Sequence, residues 1–227
     1  GKTTTLKITI NMLKDEINIG VMEADIDSDV DAQAITDTGV RAIQIHTGGM
    51  CHLDADMTRQ GINEFGTKDL DLVFLENVGN LVCPAEFDTG STKNAMILSV
   101  PEGDDKPLKY PLMFTISDVV LINKCDTLSV FDDFSKKDVE ERIHNLNPNA
   151  KVFFVSAKTG EGLQELQELL GKLISEEMLY VERVFPYQEA GKIQLIRENG
   201  QLLSEEYTEN GIHVKARVPK EIYHKVI

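Results

Sequence analysis

Val119-Val120-Leu121-Ile122-Asn123-Lys124-Cys125-Asp126 joins an apolar run to a polar cluster, and that pattern recurs along the chain. Glu76-Asn77-Val78-Gly79 follows Leu72-Val73-Phe74-Leu75, and Ser156-Ala157-Lys158 follows Val152-Phe153-Phe154-Val155. Short runs rich in Val, Ile and Phe, apolar on both faces, predict strands of a parallel sheet covered by helices. Ligands of such sheets bind beyond the carboxyl ends of the strands, so the clusters are expected to meet at one rim. Asp126 can accept two hydrogen bonds from a base with adjacent N–H donors, which guanine offers and adenine does not. Taken alone, Asn123 to Asp126 also reads as a solvated turn after a strand.

Upstream, Gly1-Lys2-Thr3-Thr4 matches the second half of the phosphate-binding loop G-x-x-x-x-G-K-[ST], without its first glycine and preceding strand. In that loop N–H groups cradle phosphates, the lysine reaches the β/γ oxygens, and the next hydroxyl ligates Mg²⁺. Gly1, Lys2, Thr3 and Thr4 are therefore candidate nucleotide-binding residues, with Thr3 toward Mg²⁺. Such a tetrapeptide is common by itself; its weight comes from four clusters in one order, each at a predicted strand end. With half the loop missing, phosphate-facing N–H groups are lost and strand edges are left unpaired, so weak or absent GTP binding is expected.

Alternation of strand and helix patterns runs through most of the chain. Helical spacing is expected over 3–16, 52–65, 135–146 and 162–174, and strands over 19–24, 40–45, 95–100, 118–122 and 151–155. The fold class expected is α/β, a P-loop domain with a mostly parallel sheet over residues 1–177. After 177 the pattern changes to short alternating segments over 181–185, 192–197, 202–207 and 211–218, separated by Ala190-Gly191, Asn199-Gly200 and Asn210-Gly211. Asn-Gly between such runs is a strong hairpin signal, so residues 178–227 are expected to form a small antiparallel β or α+β appendage.

The 227 residues suffice for one large α/β domain, or for one domain with a small addition. Net charge is −15, which argues against an extended phosphate backbone as a partner of the main body. Of 23 basic and 38 acidic side chains, the last fifty residues hold seven of each, a neutral module beside an acidic one. Neither a signal peptide nor a membrane span is visible, and a cytoplasmic location is expected. Three cysteines do not make a disulfide framework.

Cys51-His52 precedes a predicted helix, and Cys83 lies shortly after Glu76 to Gly79. Thiolate and imidazole suit Zn²⁺ and Ni²⁺, but the spacing fits no zinc finger, and three ligands need water or a second chain to complete a tetrahedron. Two small buried cysteines and a helix-capping histidine remain the plainer alternative. Cys125 reads as packing.

Three runs carry a family resemblance: 47–55 (Thr-Gly-Gly-Met-Cys-His-Leu-Asp-Ala), 76–85 (Glu-Asn-Val-Gly-Asn-Leu-Val-Cys-Pro-Ala) and 102–111 (Glu-Gly-Asp-Asp-Lys-Pro-Leu-Lys-Tyr-Pro). Over about residues 1–160 the chain resembles the HypB-type hydrogenase nickel-incorporation GTPases. The resemblance implies GTP hydrolysis, a GTP-dependent homodimer, and delivery of nickel to a hydrogenase precursor with a partner chaperone. It implies Cys51, His52 and Cys83 as Ni²⁺ or Zn²⁺ ligands at the dimer interface. Asp25, with Asp27, falls near Mg²⁺ or the attacking water, and Glu76 and Gly79 fall beside the γ-phosphate, so that Lys2, Asp25, Glu76 and Gly79 are the expected catalytic group. Asp25 and Asp27 read also as caps of the next helix. Beyond residue 177 the tail is similar instead to the C-terminal domain of ribosome-associated HflX-type GTPases, and Ser156 to Gly162 is shared by both families. A fusion with its seam near that stretch is expected, with two alternatives to nickel delivery: a metal-binding module without turnover, and a ribosome-associated GTPase.

Overall fold

A computed structural model describes residues 1–25, 35–67, 69–176 and 178–227 of the chain. By packing it divides into Gly1–Gln167 and Glu168–Ile227. That division falls inside a helix, whereas the change in charge and pattern placed the boundary at 177/178.

The first unit opens with α1 (Lys2–Leu13), then β1 (Ile19–Asp25), β2 (Arg41–His46), α2 (Ala55–Phe65) and β3 (Leu72–Glu76). It continues with α3 (Cys83–Glu86), β4 (Ala95–Ser99), α4 (Lys106–Lys109), α5 (Pro111–Ile116), β5 (Val119–Asn123), α6 (Lys136–Leu146), β6 (Lys151–Phe154) and α7 (Leu163–Glu176). Its strands form two three-stranded sheets, ordered β2-β1-β3 and β4-β5-β6, with parallel pairing throughout. The expected parallel α/β architecture is thus observed.

Burial explains why these runs are strands. Val119, Val120, Leu121, Ile122 and Asn123 of β5 are all buried, as a strand covered on both faces requires. Around it Met96, Leu98, Phe114, Val139 and Ile143 close one core, and Met22, Ala24, Ile45, Leu53 and Phe65 form another. Each of these side chains larger than alanine contributes about 1.5–3 kcal/mol when taken fully from water. Helix ends follow their sequence signals: Asp54 accepts from the Met57 N–H at 2.8 Å to start α2, and Ser135 caps α6.

Some expectations need correction. The predicted helix over 52–65 starts only at Ala55, because Asp54 is its cap. The run 102–111, quoted above for its family resemblance alone, is an ordered segment. Glu102 closes a capping box with Ser99, and α4 and α5 follow at once. Asp104 anchors the segment by accepting from Arg142 Nη1 at 2.7 Å and from the Ser135 N–H at 2.9 Å.

The second unit takes up the end of α7, then β7 (Met178–Phe185), α8 (Ala190–Asn199), β8 (Gln201–Thr208), β9 (Gly211–Pro219) and α9 (Lys220–Val226). The strands pair antiparallel in the order β7-β9-β8, the α+β form of the expected appendage. Residues 192–197 are helical rather than extended. Ile193 and Ile196, three apart, are the buried pair, and the apparent Ile193/Leu195 alternation misled. Asn199-Gly200 therefore ends a helix, and only Asn210-Gly211 serves a hairpin, between β8 and β9.

Candidate functional site

The parallel strands bring chain-distant clusters to one rim. Lys2 Nζ donates to the Asn77 carbonyl at 2.8 Å and lies 3.4 Å from Glu76 Oε1, while Thr3 Oγ1 donates to the same Glu76 oxygen at 3.4 Å. A cavity of about 230 Å³ is lined by Gly1, Lys2, Thr3, Glu23, Glu76 and Gly79, among others. At Gly79 a Cβ would stand 3.3 Å from Lys2 Nζ, so glycine there lets the ammonium come close to the backbone. α1 begins at this cavity, and the N–H groups of its first turn have no acceptor within the helix, which suits an anion. Thr4 is exposed on α1. Asp25 closes β1 opposite His46 of β2, its backbone at the same rim. Asp27 lies outside the described residues.

The base-reading cluster stands at the ends of β5 and β6. Asn123 is buried; its amide nitrogen donates to Thr5 Oγ1 at 3.1 Å, and its oxygen accepts from the N–H groups of Lys124 (2.7 Å) and Ala157 (3.4 Å). One side chain thus ties α1, β5 and the loop after β6 together. Ser156 Oγ donates to Asp126 Oδ1 at 2.6 Å, orienting the carboxylate. Lys124 has φ 60°, and is the one non-glycine residue at positive φ among the described residues, a strained conformation that clusters at ligand clamps. Lys158 is exposed in the loop after β6, and Gly162 is obligatory at the end of that loop: at φ 72° an added Cβ would collide with the Phe154 carbonyl. Cys125 points inward, and burial first, then Glu161, pushes its pKa to about 11, so it is packing, as expected.

The sulfur-bearing residues also meet. Cys51 Sγ donates to Cys83 Sγ at 2.6 Å, and His52 Nδ1 lies 4.0 Å from Cys51 Sγ. The His52 ring stacks on Phe87, centroids 3.6 Å apart. Hence two thiols touch and the imidazole stands beside them; among the described residues no set of three His, Cys, Asp or Glu is already arranged around one ion. The hydrogen bond from Cys51, then desolvation, keeps the Cys83 thiol above the ordinary thiol range. The plainer alternative fails on geometry: Cys51 is exposed, and the helix cap is Asp54 rather than His52.

Two asparagines, which the sequence pattern did not single out, hold this arrangement. Asn77 Oδ1 accepts from the N–H groups of Leu53 and Val78, and Asn80 reaches both cysteine segments. Glu23 was missed as well. It is 3 % exposed on β1, in register with Glu76 on β3 and Gln44 on β2. A carboxylate inside Val21-Met22-Glu23-Ala24 was the available signal, since an acid is almost never fully buried without purpose.

Comparison with known proteins shows the family and the fold. The family model for the nucleotide-binding domain of CobW/HypB/UreG matches residues 1–154. The hydrogenase maturation factor HypB of Rhizobium leguminosarum bv. viciae is 46 % identical over 164 residues, 72 % of this chain and 54 % of that protein. The chain thus spans about half the length of the first curated relatives it matches. HypB from Helicobacter pylori, solved in complex with nickel, superposes with a TM-score of 0.71 at 39 % identity, covering 78 % of this chain and 82 % of that one. HypB from Archaeoglobus fulgidus gives 0.70 at 35 % identity, covering 77 % and 84 %. Among the described residues no helix is long and apolar enough to cross a membrane.

Proposed function

Because the chain belongs to the CobW/HypB/UreG family of P-loop nucleotide-binding domains, and within it to the HypB type, we propose that it binds and hydrolyses GTP and carries nickel for hydrogenase maturation. The observation that carries this reading is the meeting of Lys2, Thr3, Glu76 and Gly79 around one cavity, on the segment that continues to Cys83.

Phosphoryl transfer to water asks mainly for placement and charge neutralisation. In this reading Lys2 exchanges the Asn77 carbonyl and Glu76 for the β/γ-phosphate oxygens, and the Gly79 N–H faces the terminal phosphate. Oxygen donors fit Mg²⁺, and the Thr3 hydroxyl, Asp25 and Glu76 would hold it; when bound, it neutralises charge on the phosphates. Asp126, oriented by Ser156, takes the guanine N–H donors, with Asn123, Lys124, Ala157 and Lys158 around the base.

Cys51, His52 and Cys83 are the cargo ligands. Paired thiols and imidazole suit Ni²⁺ or Zn²⁺, and binding releases the thiol protons. Met50, Val82 and Phe87 flank them as exposed apolar side chains, which supports a second copy covering this face in a GTP-dependent homodimer. A hydrogenase precursor and a nickel-carrying chaperone are the further partners of this reading.

Phosphate release from GTP, followed beside Ni²⁺ retention on dialysis, tests both halves. The reading expects turnover that Lys2→Ala removes and Ni²⁺ binding that Cys83→Ala removes. Turnover unchanged in Lys2→Ala, or Ni²⁺ retention unchanged in Cys83→Ala, would contradict it.

A further inference from the structure

Cys51 and Cys83 lie 32 residues apart, on segments joined to each other by no shared strand, yet their sulfurs touch. Asn77 ties the segments at Leu53, and Asn80 is the side chain that bonds to the backbone of the two cysteines themselves. Asn80 Nδ2 donates to the Cys51 carbonyl at 2.7 Å, and Asn80 Oδ1 accepts from the N–H groups of Val82 at 3.0 Å and Cys83 at 2.9 Å. The amide therefore fixes the backbone of both thiol-bearing residues at once. The oxygen sets the entry to α3, a helix of four residues with Cys83 at its first position and no side-chain cap on Val82. The nitrogen draws the Cys51 backbone toward that entry.

We infer that Asn80 is the positioning residue of the metal site: its side-chain amide sets the separation and direction of the two thiols, and with them the affinity for a soft divalent ion. The inference rests on the cargo-site reading given above. An asparagine is needed because the two arms are of opposite kind. A donor faces a carbonyl and an acceptor faces two N–H groups, and a primary amide presents them on two separate atoms of one short side chain, which a single hydroxyl cannot. Removing such an outer partner of metal ligands typically costs 10- to 100-fold in affinity.

The test uses the full chain under anaerobic, reducing conditions, titrated with Ni²⁺ and read by the thiolate-to-nickel charge-transfer absorption, with thermal unfolding measured in parallel. Asn80→Ala is expected to weaken Ni²⁺ binding about 10- to 100-fold and to change the shape of the band. Asn80→Asp keeps the acceptor for Val82 and Cys83 but turns the donor facing the Cys51 carbonyl into a second acceptor. It is expected to lose affinity too, with its unfolding midpoint near the parent's. Parental affinity and band in either variant, while Cys83→Ala loses Ni²⁺, would overturn the role of Asn80 and leave the cargo site standing. Loss of Ni²⁺ together with the fold in both variants would make Asn80 merely structural, and equally overturn it. Parental binding by Cys83→Ala would instead overturn the cargo site itself.

Discussion

In the Gly1–Gln167 unit the paired strands all run the same way, whereas in the Glu168–Ile227 unit neighbouring strands run opposite ways, and the polar side chains are used differently in consequence. Parallel strands end together, so residues far apart in sequence share a rim. Asn123 reaches Thr5 across 118 positions, and Lys2 reaches Asn77 across 75. In the second unit the polar groups pair on the sheet and helix surface instead: Glu182 takes His213 and Lys215 from β9, and Arg197 of α8 takes Glu205 of β8. Exposed pairs of this kind are screened by solvent and contribute little. Its stability comes from Phe185, Ile193, Ile196, Val214 and their neighbours. Topology thus gathers chemistry in one unit and spreads it in the other.

If that contrast is right, a cavity in the small core should hurt only the small unit. Phe185 is fully buried, and Phe185→Ala should cost roughly 3–5 kcal/mol of that unit's stability, seen as an early transition in a thermal melt followed by circular dichroism. The dissociation constant for GTP should stay as it was; a large rise would break the separation. Conversely, Lys2→Ala should lower GTP hydrolysis by about 10²–10³ without moving that early transition, and a loss below tenfold would remove Lys2 from the phosphate-facing role.

The contrast sharpens further within the first unit, between the thiols at the rim and the one beneath it. Raised to about 11 by burial and Glu161, Cys125 stays protonated as pH rises through 8 and 9, giving about a hundredfold less thiolate than an ordinary thiol. Alkylation at pH 8, mapped by peptide mass spectrometry, should modify Cys51 well before Cys125; equal rates would show the base-reading loop to be open. A smaller effect is expected at the anchor of the α4 segment. Asp104→Ala removes the acceptor of Arg142 and Ser135 and should cost about 1–3 kcal/mol of the first unit's stability by chemical denaturation, with the second unit's transition unmoved.

The same topology explains what could be read in advance. β3, β5 and β6 are apolar runs with a polar end, so both the strands and the rim residues Glu76, Asn123, Asp126 and Ser156 were legible in sequence order. Lys2 followed from the half-motif at the start of the chain, and the place of Gly79 only from the family resemblance. Asn77, Asn80 and Phe87 could not be singled out this way, because their value lies in partners 24, 29 and 35 residues away that only the fold supplies. Glu23 was visible as an acid inside an apolar strand and was passed over. In the second unit the strands were legible, but α8 was not: with seven residues between turn signals, Ile193, Leu195 and Ile196 satisfy a strand period almost as well as a helical one. α9, a single short turn pair at the chain's end, carried too little periodicity to mark.

The proposed GTPase function requires loops from distant parts of the chain to close on a guanine nucleotide. Calorimetric titration of the full chain with GTP and with ATP, each with Mg²⁺, tests this most directly. GTP should bind at least about 10²-fold more tightly, since adenine offers the Asp126 carboxylate no pair of N–H donors. Equal affinity for the two nucleotides would contradict it.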